Sequence, residues 1–262
     1  AYAPAHYAEV TGAVGILDEQ IPFLAGPVLR DDQQESYFQP STSPEQGTLF
    51  EHCARALQTS LPVGVHGLSL IWTGDWNDGM NRVGVGGKGE SIWLGFFLYD
   101  VLIRFTEVAR MRGDTPFAER CQREAAQLRQ DIERNGWDGE WYRRAYFDDG
   151  TPLGSTENAE CQIDAIAQSW AVLSGAGDPR RMRMAMDAVA RLLVHRDAAL
   201  VQLLAPAFAR SAPSPGSIQV HLRDASETGA QSTRAAGRTA PGIAAPPRCA
   251  RAWPPVHMTP PT

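Results

Sequence analysis

ESIWLGFFLYDVLIRFTEVARMR, residues 90–112, decides the fold class. Its first half is apolar almost all round, the pattern of a helix buried between other helices. Downstream, TPFAERCQREAAQLRQDIER at 115–134 is one-sided. Thr115-Pro116 supplies cap and first-turn residues, Phe117, Cys121, Ala125, Leu128 and Ile132 share a stripe, and Asn135-Gly136 ends the helix. Upstream, residues 46–61 place Leu49, Phe50, Cys53, Leu57 and Leu61 on one face. Two further helices are expected near 161–174 and 179–195. Strand signals are scarce. EWYRRAYF (140–147) runs into Asp148-Asp149-Gly150, which reads as a short hairpin, and Ala199 to Leu204 is too short to assign. Helices joined by short connections predict an all-α architecture of stacked helical hairpins. Long loops at 18–45, 62–89 and 205–229 are where function is expected.

The chain has 262 residues, 43% of them hydrophobic and 21% charged, enough for one good core. A net charge of −6 makes nucleic acid a poor partner, since phosphate backbones require a dense basic surface. No run of about 18 apolar residues is present, so no membrane contact is expected of this chain. AYAPAHYAEVTG at the start lacks the layout of a signal peptide. Four cysteines without a CxxC pair predict reduced, buried thiols in a cytoplasmic protein. Two regions are expected: an ordered domain over 1–236, and a disordered Pro/Arg-rich tail over 237–262. That tail has 7 Pro, 3 Arg and no acidic residue, and its abrupt change of character reads like sequence out of frame.

Gly84-Val85-Gly86-Gly87-Lys88-Gly89 has the GxGxxG spacing. No strand precedes it, and Gly89 stands where a P-loop needs Ser or Thr, so it reads as a flexible connector. Asp75-Trp76-Asn77-Asp78-Gly79 fails the register of a calcium loop. The six histidines show no HxxxH or HExxH spacing, so no metal is expected. The same pentapeptide places two carboxyls, an amide and an indole within four residues. Trp76 offers a flat face and an N–H for a sugar ring, while Asp75, Asn77 and Asp78 offer hydrogen-bonding groups for hydroxyls. One carboxyl held away from water beside the indole would act as a general acid. The plain alternative is an Asx-type turn ending at Gly79.

GLSLIWTGDWNDGMNRVGVGGKGESIWLGFFL (67–98) resembles glycoside hydrolase family 94, which comprises inverting disaccharide phosphorylases and the phosphorylase-like region of cyclic β-1,2-glucan synthases. Further matching stretches are GILDEQIPFLAGP (15–27), ESYFQP (35–40), GTLFEHCARAL (47–57), WDGEWYRRAYFDDGTPLGS (137–155), IDAIAQSWAVLSG (163–175) and SETGAQSTRAA (226–236). The resemblance implies a partial (α/α)6 barrel whose loops hold the sugar. It also implies one catalytic carboxyl, Asp78. Inverting hydrolases need two carboxyls about 6.5–9.5 Å apart, whereas a phosphorylase needs only the acid because phosphate arrives already nucleophilic. By the same resemblance Trp76 lines the glucosyl subsite, Asp75 and Asn77 fix the substrate-binding loop, and Glu227 lies near the bound sugar. Inorganic phosphate is the co-substrate, with no other cofactor, and a β-linked glucan or glucooligosaccharide is the partner.

The departures set further expectations. A full barrel of twelve helices needs roughly 350 residues at usual loop lengths. Arg234 stands where the family has a phosphate-binding His, and the later Thr-Gly phosphate loop is replaced by the tail. The chain is therefore expected to keep the general acid, lack a complete phosphate site and be inactive in phosphorolysis on its own. Unpartnered barrel helices, 90–112 among them, would expose an apolar edge and promote association. Two alternatives stand beside this reading: a non-catalytic glucan-binding remnant, and an inverting hydrolase with Glu227 as second carboxylate. A membrane-anchored parent is compatible with all three.

Overall fold

The computed structural model describes residues 1–28, 33 and 36–220. The helices among them are α1 (Tyr2–Thr11), α2 (Leu49–Ser60), α3 (Ile92–Met111), α4 (Thr115–Asn135), α5 (Ala165–Ser174) and α6 (Pro179–Leu192). The central helix is α3, which packs on α1, α4 and α5, while α6 packs on α5. Ile92, Trp93, Gly95, Phe96 and Leu98 are all buried, as an apolar-all-round segment requires. At Gly95 the partner helix comes close: a Cβ there would stand 3.1 Å from Ile132 Cδ1. Trp93 and Phe97 meet Trp170 of α5 edge-on, with ring centroids 6.4 and 5.1 Å apart.

Local chemistry sets the helix starts. In α2 the Thr48 hydroxyl accepts from the Glu51 N–H at 3.1 Å, and the Glu51 carboxylate accepts from the Thr48 N–H at 2.6 Å. This reciprocal pair satisfies two donors that the first turn leaves open. The cap of α4 is Asp114, one residue earlier than expected, accepting from the Phe117 N–H at 3.1 Å. Asp164 and Asp178 cap α5 and α6.

More strand is present than the sequence pattern announced. β1 (Gln20–Ala25) pairs antiparallel with β2 (Ser41–Thr48), in the region expected to be loop. Only Ile21 and Phe23 are half-buried in β1, and β2 reads STSPEQGT, so no apolar alternation marked the pair. β3 (Glu90–Ser91), β4 (Ala145–Tyr146) and β5 (Pro152–Leu153) form a three-stranded antiparallel sheet, and β4–β5 is the hairpin expected at Asp148-Asp149-Gly150. The helix expected from 161 begins at Ala165, because β6 (Ile163–Asp164) precedes it. β7 (Val194–His195) pairs with β8 (Leu200–Val201), and β6 with β9 (Leu204–Ala205).

Two cores result. The helices enclose the larger one. The smaller holds Ile71, Met80, Val83, Phe147, Leu153 and Phe208 beneath the long loops, and Trp76 packs against both. Cys53, Cys121 and Cys161 are free and buried. Cys249, the tail 237–262 and the last part of the 205–229 loop lie outside the described residues. Among the described residues no helix is long and apolar enough to cross a membrane. The apolar edge expected on 90–112 is small: its exposed large apolar residues are Ile103 and Met111, at 40% and 39%. Replacing Thr48 by Ala is expected to lower stability by about 1 kcal/mol. Urea unfolding measures this, and an unchanged midpoint would mean that the capping pair carries no weight.

Candidate active site

The 62–89 loop is folded upon itself. Its Asp75 Oδ1 accepts from the Asn77 N–H at 3.1 Å, Asn77 Oδ1 accepts from the Gly79 N–H at 3.0 Å, and Asp78–Met80 forms a single 3-10 turn. Two consecutive Asx turns therefore shape the pentapeptide, as the plain alternative foresaw. Gly79 admits the neighbouring segment: a Cβ there would stand 2.9 Å from Ile218 Cβ.

The turn is fastened from below by charge. Arg144 donates to both oxygens of Asp75, Nη1 to Oδ2 at 2.7 Å and Nη2 to Oδ1 at 2.6 Å. Ser91 Oγ donates to Asp75 Oδ2 at 2.7 Å. Arg144 Nε lies 3.2 Å from Asp164 Oδ2, a charge contact without an aligned hydrogen bond. Both side chains of the Arg144–Asp75 pair are fully buried, and Asp164 nearly so. Burial raises the Asp75 carboxyl, but the Arg144 guanidinium outweighs it and holds the group below its ordinary value. For Asp164, burial dominates and pushes the carboxyl up to about 6, against the pull of Arg144. Gly154 makes room for the arginine: its φ is 77°, and a Cβ there would stand 2.4 Å from Arg144 N. On the opposite side of β3, buried Glu90 accepts from the N–H groups of His66 and Leu68 at 3.1 and 3.0 Å, tying the start of the loop to the same strand.

Above this base Asp78 is exposed, and its carboxylate has no hydrogen-bond or ion-pair partner among the described residues. The sequence reading wanted an acid shielded beside the indole. The described residues leave it open, because the turn spends Trp76 on the two cores, where it is half-buried. Asp75 keeps no oxygen free for a sugar and fixes the loop instead. Asn77 is 1% exposed, and its Nδ2 has no partner among the described residues. Glu227 and Arg234 lie outside the described residues. Arg144, Ser91 and Asp164 were missed. The available signal was an arginine inside the apolar run EWYRRAYF, which needs a carboxylate once buried.

The glycine-rich stretch is pinned rather than a flexible connector. The Asp148 carboxylate accepts from the N–H groups of Gly86, Lys88 and Gly89 at 2.7, 2.8 and 2.9 Å, so an internal anion occupies the donors a phosphate would use. Among the described residues no group of three or more His, Cys, Asp or Glu is placed to hold a metal.

Arg144→Met is expected to cost about 3–5 kcal/mol, because it strands buried carboxylates. Urea unfolding measures the loss, and a cost below about 1 kcal/mol would contradict the role given to the pair. Asp164 adds a pH signature. Its folded pKa lies above the unfolded value of about 4, so the folded state keeps a proton that the unfolded chain has lost. Wild type should therefore lose stability relative to Asp164→Asn as pH rises from about 4 to about 6, with parallel curves as the contrary result.

Comparison with known proteins places this chain in a family. The Glycosyl hydrolase 94 superfamily, catalytic domain, matches residues 6–261. Cyclic beta-(1,2)-glucan synthase NdvB of Rhizobium meliloti is 46% identical over 97% of this chain. Solabiose phosphorylase of Paenibacillus borealis is 35% identical over 70%, and N,N'-diacetylchitobiose phosphorylase of Vibrio furnissii is 31% identical over 86%. The chain spans 9%, 22% and 26% of these relatives' lengths. A family-model match along nearly the whole sequence and these relatives agree: the chain belongs to the glycosyl hydrolase 94 superfamily, as part of its catalytic domain.

Proposed function

We propose that the chain carries the general-acid part of an inverting phosphorolytic site for β-linked glucosyl units. Asp78 is the proton donor in this reading. It protonates the bridging glycosidic oxygen while inorganic phosphate attacks C1 from the opposite face, giving an α-sugar 1-phosphate. Trp76 borders the glucosyl unit, Glu227 contacts the sugar and Arg234 contacts phosphate. The helices form a segment of an (α/α)6 barrel, and phosphate is a co-substrate rather than a bound cofactor. One observation carries the proposal: a carboxylate with no partner among the described residues stands on a turn held by the Asp75 carboxylate and the Asn77 side-chain carbonyl. A general acid needs that combination, a free proton-carrying group on a rigid mount. The exclusion of water from Asp78 is assigned to the glucan itself. Names of the relatives support the substrate class, since they act on a glucan or on disaccharides.

Calorimetry should detect binding of β-1,2-glucooligosaccharides to the 262-residue chain. The same mixtures with phosphate should yield no α-glucose 1-phosphate, because the phosphate site is incomplete. Product that disappears in Asp78→Asn would overturn the incompleteness and support the acid. Product that survives Asp78→Asn would overturn the acid. Glucose released without phosphate would assign hydrolysis, and absence of both binding and turnover would overturn the reading as a whole.

A further inference from the structure

We propose that Trp72 is the stacking platform of a further glucan subsite, taking a glucosyl unit beyond the one presented to Asp78; this rests on the glucan reading above. Trp72 combines two unfavourable features. Its φ is 52°, in the left-handed region that a bulky side chain rarely adopts, and it is 57% exposed. The fold thus holds a large apolar ring in solvent on a strained backbone and gains little packing in return. Strain kept without a packing gain marks a functional position.

The mount is built for this ring. Gly84 admits the Trp72 backbone: a Cβ there would stand 2.9 Å from Trp72 N. Gly87 admits the ring edge, with a Cβ 3.0 Å from Cζ3. Both glycines belong to the stretch that Asp148 pins, so the indole rests on a fixed support. Trp72 also lines a cavity of about 620 Å³, together with Tyr2, Leu70, Gly74, Phe97 and Leu98. The size falls within the range of small-molecule sites. The indole N–H has no partner among the described residues.

The ligand chemistry follows. An apolar face with an unused donor beside it matches a hexose ring, which offers C–H groups on its faces and hydroxyls around its rim. Gly74, the residue before Asp75, lines the same cavity, so a glucan laid on the indole lies beside the DWND turn. The subsite would read oligosaccharide length and not the terminal unit alone.

Calorimetry on the 262-residue chain compares β-1,2-glucooligosaccharides with glucose for wild type, Trp72→Ala and Trp72→Gly. Both variants should bind the oligosaccharide about tenfold more weakly and bind glucose unchanged. Trp72→Gly should also melt at the same temperature as wild type or higher, because glycine accepts the positive φ. Undiminished oligosaccharide affinity in Trp72→Ala overturns the subsite while leaving the glucan reading intact. A clear fall in the melting temperature of Trp72→Gly overturns it by making the ring a core plug. Conversion of a dimer to a monomer by Trp72→Ala overturns it by making the cavity a seat for a second copy. A folded wild-type chain that binds no glucan removes the glucan reading and the subsite together.

Discussion

Arg144 joins three segments that lie far apart in sequence. Its guanidinium holds Asp75 of the DWND turn from below and lies against Asp164, the cap of α5, while its own backbone continues into β4. Each charge taken out of water costs several kcal/mol, and the attraction between them returns that only when geometry is good. The two bonds to Asp75 are aligned and short, and the contact with Asp164 is not. The asymmetry accounts for the different behaviour of the two acids: Asp75 is held below its ordinary value, whereas Asp164 is pushed up to about 6. The network contributes position more than stability, since only one arrangement of the turn satisfies the arginine.

On that base the division of labour within five residues becomes clear. Asp75 points down into charge, Trp76 spans two cores, Asn77 closes the next turn, and Gly79 lets residue 218 approach. Asp78 is what remains, and it is the member left free. The same economy governs the glycine-rich stretch, where Asp148 takes up the backbone donors and leaves a firm surface beneath Trp72. The loops over the smaller core are thus rigid in their hydrogen bonding and open in their side chains, a combination suited to receiving a ligand.

Helices α2 to α6 were legible from their apolar patterns and their caps or stops, whereas α1, YAPAHYAEVT, buries only Ala5 and Ala8 and announced itself by no apolar stripe. Phe50, Cys53 and Leu57 in α2, and Cys121, Ala125, Leu128 and Ile132 in α4, are buried as their spacing requires. β1 and β2 were not legible, since STSPEQGT has no alternation and Pro22 interrupts the partner strand. The site was half legible. DWND stood out through its density of polar groups beside an indole, and family resemblance singled out Asp78. Arg144 stayed hidden because its partners are 69 residues upstream and 20 downstream, a pairing that only the folded chain creates. Trp72 was hidden for a different reason: backbone strain leaves no mark in sequence unless the position is already known to require positive φ.

The most direct test of the acid assignment is a crystal structure of the chain with a bound β-1,2-glucooligosaccharide. The account predicts an Asp78 carboxyl oxygen within about 2.6–3.2 Å of a bridging glycosidic oxygen, with Asp75 still clasped by Arg144. A glucan bound elsewhere, with Asp78 facing solvent and no sugar oxygen in reach, would contradict it.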